Sequence, residues 1–336
     1  MKKNLKLHLI KGNPIHLYWI GMIFLNLVLS SCQKTKFKWQ PGLSAPKYYP
    51  IADVAINFEN AGNGTQMPFD SGWGTEYGGV VSGDEYKDIP KEVTIRYNSS
   101  AENYVYKGKI KLPQEKIFSL FKKYDIGENK WAHLVVGMAP GGWIRVWFKT
   151  IDKQVEVVKS QLKGQYDDTT NEKYKVKNFE NWGKYYTYWQ YHGIPYDAWA
   201  NNEKEYDLYF DFNQPNKRKI GLSYVSKDGT FYQGVAEKCY QKLPTEIELC
   251  WLDESDNDYC CKIPLPKTFN NWIELKKLKQ IHLKLEIERD QQHAILYLVS
   301  NGKTEKILRV KNVRPTNKEV TDNNYSYAQD IEYFIK

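Results

Sequence analysis

The sequence lacks any block of lysine and arginine, and it lacks a long apolar run beyond its first 31 residues. Its 48 basic and 40 acidic residues are spread along the chain, which argues against nucleic acid as a partner. The one apolar stretch, from about Ile15 to Leu29, is too short and too close to the terminus for a membrane span. That stretch therefore needs another explanation.

Familiar catalytic and metal-binding patterns are also missing. No Gly-x-Ser-x-Gly elbow occurs, and no cysteine and histidine lie in a recognisable catalytic context. The acidic run 253–258 has Asp258 where a calcium loop needs glycine and Pro264 where it needs glutamate, so we expect a solvated turn. The remaining histidines are not spaced for zinc: His133, His192, His282 and His293. We therefore expect no enzyme, no metal site and no cofactor.

The first 31 residues are typical of an export signal. Lysines at positions 2, 3, 6 and 11 precede the apolar stretch, which ends in Leu29-Ser30-Ser31-Cys32. This ending matches a lipobox, in which the cysteine becomes an acylated N-terminus, and several acyl chains give stable membrane anchoring. An ordinary secretory signal is the alternative. Because Gln33 rather than aspartate follows Cys32, we expect an outer-membrane lipoprotein of the bacterial envelope.

Removing the signal lowers the net charge from +8 to +4, because the signal holds four basic residues and no acid. An oxidising envelope permits disulfides among the cysteines that remain. Cys250 and the Cys260-Cys261 pair flank a polar loop, so a hairpin would bring them together. Neighbouring strand residues point to opposite faces, so only one of the pair can face Cys250. We expect one disulfide among Cys239, Cys250, Cys260 and Cys261, with zinc as the alternative.

The 305-residue mature chain contains an internal repeat, which predicts a tandem duplication. Six segment pairs match in order, at offsets between 149 and 155 residues. The pairs are Trp39-Gln40 with Trp189-Gln190, 53–58 with 207–212, 74–80 with 229–235, 89–97 with 243–251, 110–113 with 263–266, and His133-Leu134 with His282-Leu283. We therefore predict domains at 39–165 and 186–336, joined by a connector at 166–185.

Each copy is predicted to be mostly strand with one short helix. Val93, Ile95 and Tyr97 alternate with polar residues, as in a half-buried strand. Pro113 suits a first helical turn, and apolar residues then recur every three or four positions through Tyr124. The second helix is a poorer pattern over Phe269, Trp272, Ile273 and Leu275. The expected fold class is α+β, mainly antiparallel, with two tandem β-sandwich-like domains.

The loop Met138-Ala139-Pro140-Gly141-Gly142 invites comparison with a phosphate-binding glycine loop. Such a loop runs from a strand into a helix, whereas residues 143–148 are β-branched and aromatic and predict a strand. No lysine followed by serine or threonine comes after the glycines either. We therefore expect a hairpin in which the glycines supply positive φ.

The strand after this loop carries the binding candidates. Alternation places Trp143, Arg145 and Trp147 on one face and Ile144, Val146 and Phe148 on the core face. The first face is either a recognition surface or a second core layer at a domain interface. The repeat aligns it with Ala294, Leu296 and Leu298, which would make the arginine specific to the first copy.

The densest aromatic run, Tyr185 to Tyr191, coincides with the predicted first strand of the second copy. It is interpreted either as core or inter-domain packing or as a platform for sugar stacking.

Several segments together resemble an uncharacterised bacterial lipoprotein family, domain of unknown function 2931. The matching segments are the lipobox ending at Cys32, 43–50, Ser71-Gly72-Trp73-Gly74, Ile89-Pro90, 111–113, 137–142 with Trp147, 154–157 and 192–195. The resemblance implies location and architecture, and it adds Trp73 to the binding candidates. It carries over no catalytic residue.

Function is therefore expected to be non-enzymatic binding by a membrane-anchored envelope protein. The first hypothesis is a protein partner of the effector–immunity type, bound on an open surface around Trp143, Arg145 and Trp147. The alternative is a glycan-binding module that uses tryptophan and tyrosine platforms. An envelope hydrolase comes third, because no nucleophile–base pair is visible.

Overall fold

The computed structural model describes residues 36–167, 182–213, 220–234 and 239–335. Strands in these ranges form four sheets, and almost all pairs are antiparallel. The expected α+β, mainly antiparallel, sandwich-like fold is confirmed. The predicted signal and Cys32 lie outside the described residues. Among the helices that are described, none combines the length and apolar character needed to cross a membrane.

The first half, residues 36–167, contains two sheets around one core. One sheet has the order β10-β9-β8-β1-β5 and the other β11-β7-β6-β2-β3-β4. The elements are β1 Lys36–Ser44, β2 Ile51–Phe58, β3 Ala61–Thr65, β4 Ser82–Gly83, β5 Tyr86–Asp88, β6 Glu92–Ser99, β7 Tyr104–Lys111, α1 Gln114–Lys123, β8 Ala132–Met138, β9 Trp143–Lys149, β10 Gln154–Gln161 and β11 Gly164–Tyr166.

Two helices, α2 Trp182–His192 and α3 Tyr196–Ala200, lead into the second half, residues 205–335. Its sheets have the orders β15-β12-β18-β19-β20-β21 and β14-β13-β16-β17. The elements are β12 Glu205–Asn213, β13 Ile220–Ser226, β14 Phe231–Gln233, β15 Cys239–Lys242, β16 Pro244–Leu252, β17 Asp258–Pro264, α4 Phe269–Leu275, β18 Gln280–Ile287, β19 His293–Ser300, β20 Lys303–Lys311, α5 Asn317–Asp322 and β21 Asp330–Tyr333.

The two halves share a topology. Each has one parallel pair, β1 with β8 and β12 with β18, in an otherwise antiparallel sheet. A parallel pair requires a crossover connection, and in each half a short helix precedes the returning strand. Antiparallel strands then follow in the same order, β8-β9-β10 and β18-β19-β20. This shared order supports the predicted duplication.

Three of the six matched segment pairs occupy equivalent places. Residues 89–97 and 243–251 lead into and form β6 and β16, which are the central strands of equivalent sheets. Residues 110–113 and 263–266 both end a strand before a helix. His133 and His282 both lie near the start of the returning parallel strand.

The other three pairs were wrong. Trp39 lies in β1, whereas Trp189 lies in α2. Residues 53–58 lie in β2, whereas 207–212 lie in β12, the counterpart of β1. Gly74 lies in the loop between β3 and β4, whereas Gly229 lies in the β13–β14 hairpin. Alternating apolar and polar residues recur in every strand, so short matches of this kind do not identify a particular strand.

The aromatic run from Tyr185 to Tyr191 is helical, which corrects the predicted strand. Tyr185 and Tyr188 are buried, and Trp189 is half-buried, so one face of α2 carries the packing residues at spacings of three and four. The predicted boundary at residue 186 thus falls inside a helix, and the second pair of sheets begins at Glu205. Part of the predicted connector, 168–181, lies outside the described residues.

The other helix predictions agree with the structure in part. Pro113 caps α1, and Ile117 and Phe121 are fully buried on its inner face. In α4, Phe269 and Ile273 are buried as expected, but Leu275 is 81% exposed. Leu275 ends this short helix and contributes nothing to the core.

Candidate cleft between the halves

An aromatic cluster joins the two halves, and we call it the seam. Its buried members are Tyr48, Tyr49, Trp73, Val135, Ala139, Trp147, Tyr185, Tyr188, Trp199 and Val225. Tyr48 stacks on Tyr188 with ring centroids 4.2 Å apart, and the edge of Tyr49 meets Trp199 at 5.1 Å. The outer face of the first sheet is therefore covered by α2 and α3.

Hydrogen bonds between distant segments fix the seam. The carbonyl oxygen of Gly229 accepts from the backbone N–H groups of Lys47 and Trp73, both at 2.9 Å. The Trp199 indole donates to the carbonyl oxygen of Asp228 at 2.9 Å. Gly229 has φ of +77°, and a Cβ there would lie 2.5 Å from the Cβ of Pro46. Glycine is therefore required at this contact.

Beside the seam lies a cavity of about 380 Å³, which we call the cleft. Trp73, Arg145 and Trp147 line it from the first half, and the edge of one indole meets the other at 5.0 Å. Asp228, Thr230 and Lys242 line it from the second half, and Glu203 from the segment between α3 and β12. A cavity of this size suits a small ligand.

Arg145 is fixed in place at the wall of the cleft, with only 2% of its surface exposed. Its Nη2 donates to the carbonyl oxygen of Trp199 at 2.5 Å and to Oδ1 of Asn202 at 3.2 Å. Its Nε lies 3.2 Å from a carboxylate oxygen of Glu156. Burial lowers the pKa of Arg145, and the negative charge of Glu156 opposes that shift. An arginine with these partners orders the cleft wall.

Asp228 and Lys242 form a pair across the cleft, with Nζ 2.5 Å from Oδ2. Oδ1 of Asp228 accepts from the Ser226 hydroxyl and from both the backbone and hydroxyl of Thr230. Lys242 also donates to the Thr230 hydroxyl at 2.8 Å. The hydrogen-bonding capacity of Asp228 is therefore used within the protein.

Glu203 is in a different situation. Its Oε2 accepts from the backbone N–H of Asp228 at 3.0 Å, but its buried Oε1 has no hydrogen-bond partner among the described residues. Burial, and next the charge of Asp228, raise the pKa of Glu203 to about 8, while Lys242 acts in the opposite direction. A buried polar atom without a partner is costly unless a ligand or water satisfies it.

Comparison with protein families matches residues 29–197, half of the chain, to the family described as protein of unknown function (DUF2931). The chain belongs to this family. No curated protein and no solved structure matches it. The matched part of this DUF2931 protein ends within α3, so it covers the first half, α2 and the seam contacts they make.

The segments that indicated the family lie around the seam in this DUF2931 protein. Tyr48 and Tyr49 come from the segment 43–50, and the Tyr49 hydroxyl donates to the carbonyl oxygen of Gly193 at 2.6 Å. A Cβ on Gly137 would lie 2.4 Å from the ring of Trp147 and 2.9 Å from that of Trp73. Gly137 thus leaves room for both indoles.

The predicted hairpin and core face of β9 are confirmed. β8 and β9 pair antiparallel across the loop, and Gly141 and Gly142 have φ of +75° and +77°. Ile144, Val146 and Phe148 are fully buried in the first core.

An open recognition surface on the other face of β9 is contradicted. Trp147 is 7% exposed and Arg145 is buried, because α2 and α3 pack over them. Trp143 is half-buried against the seam and does not line the cleft. The candidates Trp73, Arg145 and Trp147 instead meet in the cleft.

The repeat alignment of β9 was out of register by one residue. Ala294, Leu296 and Leu298 are buried in the second core, as Ile144, Val146 and Phe148 are in the first. The counterpart of Arg145 is therefore Ile295, since Leu283 pairs with Leu298 as Leu134 pairs with Phe148. A shift of one residue exchanges the two faces of a strand.

The structure pairs Cys250 with Cys260 in a disulfide across β16 and β17, where the two residues are directly opposite. Cys261 is a buried free thiol on the other face. The side chain of Cys239 lies outside the described residues. The acidic run 253–258 forms the turn of this hairpin, and Asp253 accepts hydrogen bonds from Ser255 and Asn257.

One group of potential metal ligands occurs in the described chain, at Glu288, Asp290 and His293. Arg309 donates two hydrogen bonds to Glu288, both at 2.8 Å. Asp290 contacts the ring of His293. These groups satisfy one another as an ion-pair network.

Sequence reasoning missed Glu203, Asp228, Thr230 and Lys242 as cleft residues. Each belongs to a loop, a turn or a short strand with no catalytic or metal-binding spacing. The only sequence signal nearby was the repeat match that included Gly229, and that match was misplaced.

Proposed function

We propose that the chain is a non-enzymatic binding protein, anchored by acylated Cys32 in the outer membrane, whose cleft takes a small polar ligand such as a glycan segment. The observation that carries this proposal is the convergence of Trp73, Arg145 and Trp147 on one cavity beside the unpartnered Oε1 of Glu203. Indoles offer apolar surface to a sugar ring, and the charged groups offer hydrogen bonds to its hydroxyls.

Non-enzymatic binding fits the hydrogen bonds of the cleft. Asp228 and Arg145 are both engaged by several protein groups, so neither is poised as a base or nucleophile. Glu203 has a raised pKa, but the second carboxylate that a glycosidase would need beside it, Asp228, already accepts from Ser226, Thr230 and Lys242.

The binding proposal predicts that filling the cleft removes binding. Gln154 and Gln161 are exposed residues of β10, but only Gln154 lines the cleft. Titration calorimetry of the solubilised full chain with peptidoglycan and lipopolysaccharide oligosaccharides should give binding that Gln154→Trp weakens at least about tenfold. Gln161→Trp is the matched control and should bind like the wild type. Silence across the panel, or equal binding by both variants, would remove the proposal.

The anchor predicts covalent lipid at Cys32. The family match begins at Leu29 and so includes the lipobox, which supports this assignment. Cells given a clickable palmitate analogue should label the wild type and not Cys32→Ser, and only the wild type should fractionate with outer membranes. Cys261→Ser, which removes a buried thiol, should label normally. An unlabelled wild-type protein would contradict the anchor.

A protein partner remains a second candidate, because exposed apolar residues gather away from the cleft. Val81 and Trp131 line a depression of about 490 Å³ on the first half, and Val80 beside them is 81% exposed. Val81→Ser combined with Trp131→Ala should abolish capture of a purified effector while Gln154→Trp leaves it intact. The reverse pattern would assign recognition to the cleft.

A further inference from the structure

The distance between the proposed lipid and the folded chain is short. Only three residues separate Cys32 from Lys36, the first residue of β1. Extended chain covers at most about 3.6 Å per residue, so the four steps from Cys32 to Lys36 span about 14 Å. If Cys32 is acylated as proposed above, the beginning of β1 lies next to the bilayer surface.

Strand register shows what else lies at that end of the sheet. Because β1 and β8 are parallel and Trp39 is level with Ala132, Trp131 lies at the same end as the start of β1. β9 runs the opposite way and pairs His133 with Lys149, so the β9–β10 turn, residues 150–153, also lies there. We call this end, with Lys36, Trp131 and Ile151, the anchor edge.

The anchor edge presents apolar side chains to solvent. Ile151 is 99% exposed at the tip of its turn, and Trp131 is 52% exposed. Single exposed hydrophobic residues are common in soluble proteins, so exposure alone carries little weight. Here two of them occupy the one end of the sheet that a 14 Å tether would hold at a membrane, by the same estimate of about 3.6 Å per residue. Tryptophan in particular favours the headgroup region.

Charge at the anchor edge is balanced. The exposed basic and acidic residues around it are Lys36, Lys130 and Lys153, and Asp88, Glu128 and Asp152. An attraction to the bilayer would therefore come from apolar contact and would not require anionic lipid.

We propose that the anchor edge docks on the phospholipid surface that holds the acyl chains, with Trp131 and Ile151 entering the headgroup region. This inference rests on the proposed acylation of Cys32. The tether and the docked edge together fix the orientation of the protein, because two separate contacts with the bilayer restrict rotation about the anchor.

The test uses the acylated full chain in phosphatidylcholine vesicles, with bromine on the lipid acyl chains to quench nearby tryptophan. Ile151→Trp adds a reporter at the anchor edge, and Val320→Trp adds one at a half-exposed position of α5 in the second half. We expect brominated lipid to quench the added emission of Ile151→Trp and not that of Val320→Trp. Trp131→Phe should lower the quenched fraction of the otherwise unchanged chain.

Other outcomes separate the docking from the anchor. Chain that floats with the vesicles but shows no extra quenching in Ile151→Trp, or equal quenching in Val320→Trp, overturns the docked edge and leaves the acylation standing. Chain that does not float with the vesicles, or floats equally well as Cys32→Ser, overturns the acylation and the docking with it.

Discussion

Glu203 and Arg145 are ionisable side chains that the fold withdraws from water at the same cavity. Arg145 keeps its charge beside Glu156 and three backbone or amide acceptors. Glu203 has no basic partner of its own, because Lys242 is held by Asp228. The same kind of burial therefore leaves one group charged and makes the other hold its proton to about pH 8.

Stability should depend on the proton of Glu203. Its pKa is about 8 in the folded chain against an ordinary 4.5, so the stability it contributes is full below about pH 4.5 and is lost as the pH rises through 8. Urea unfolding should show Glu203→Gln gaining stability relative to the wild type between pH 5 and 8, with no further gain above. Glu115→Gln, an exposed acid on α1, controls for the lost charge. A gain that is equal at all pH values would contradict this assignment.

Helix α2 is the element that closes the outer face of the first sheet. Its aromatic residues have high strand propensity, which is why the run was predicted to be a strand. In the folded chain Tyr188 is buried between Tyr48 and Tyr49, and Trp189 donates to the carbonyl oxygen of Tyr48 at 2.7 Å. Packing against the seam outweighs the local preference.

Removing the buried ring of α2 should loosen the seam. Tyr188→Ala should lower the free energy of unfolding by about 3 kcal/mol, because a large aromatic group leaves a packed site. Tyr186 is 44% exposed on the same helix, and Tyr186→Ala should cost less than about 1 kcal/mol. Chemical denaturation monitored by circular dichroism measures both. Similar losses in the two variants would mean that α2 is not held by its buried face.

The molecule as a whole is two sheet pairs that share the seam in addition to their own cores. Backbone hydrogen bonds from Lys47 and Trp73 to Gly229 link segments more than 150 residues apart. A buried, largely aromatic interface of this kind couples the unfolding of the parts it joins. Rigid coupling also keeps the walls of the cleft, which come from both halves, in register.

The coupling predicts one calorimetric unfolding transition for the wild type and two for Gly229→Ala. Alanine there meets Pro46 and Lys47 at under 3 Å and requires a strained φ, so the seam should open at a cost of about 2–3 kcal/mol. Gly302→Ala has a similar φ of +72° but nothing within 4 Å, and should keep a single transition. Two transitions in the wild type, or one in Gly229→Ala, would show that the halves are not coupled through Gly229.

Local pattern was sufficient for some elements and not for others. The alternation in β6 and β9 and the stripe of α1 predicted buried faces correctly, because each core residue repeats at the period of its own element. The one-residue error in aligning β9 with β19 arose because both faces of β9 are bulky. Sequence alone therefore did not show which face of β9 matched the buried face of β19.

By itself the sequence determined the sheet-rich class, the β8–β9 hairpin and the family, since turn residues, alternation and short motifs act over a few neighbouring positions. Tertiary structure decided that Arg145 and Trp147 lie under α3 rather than in solvent, and that Glu203 and Asp228 join them. Those contacts link residues tens to more than a hundred positions apart, and a second bulky strand face has the same pattern whether water or a distant helix covers it.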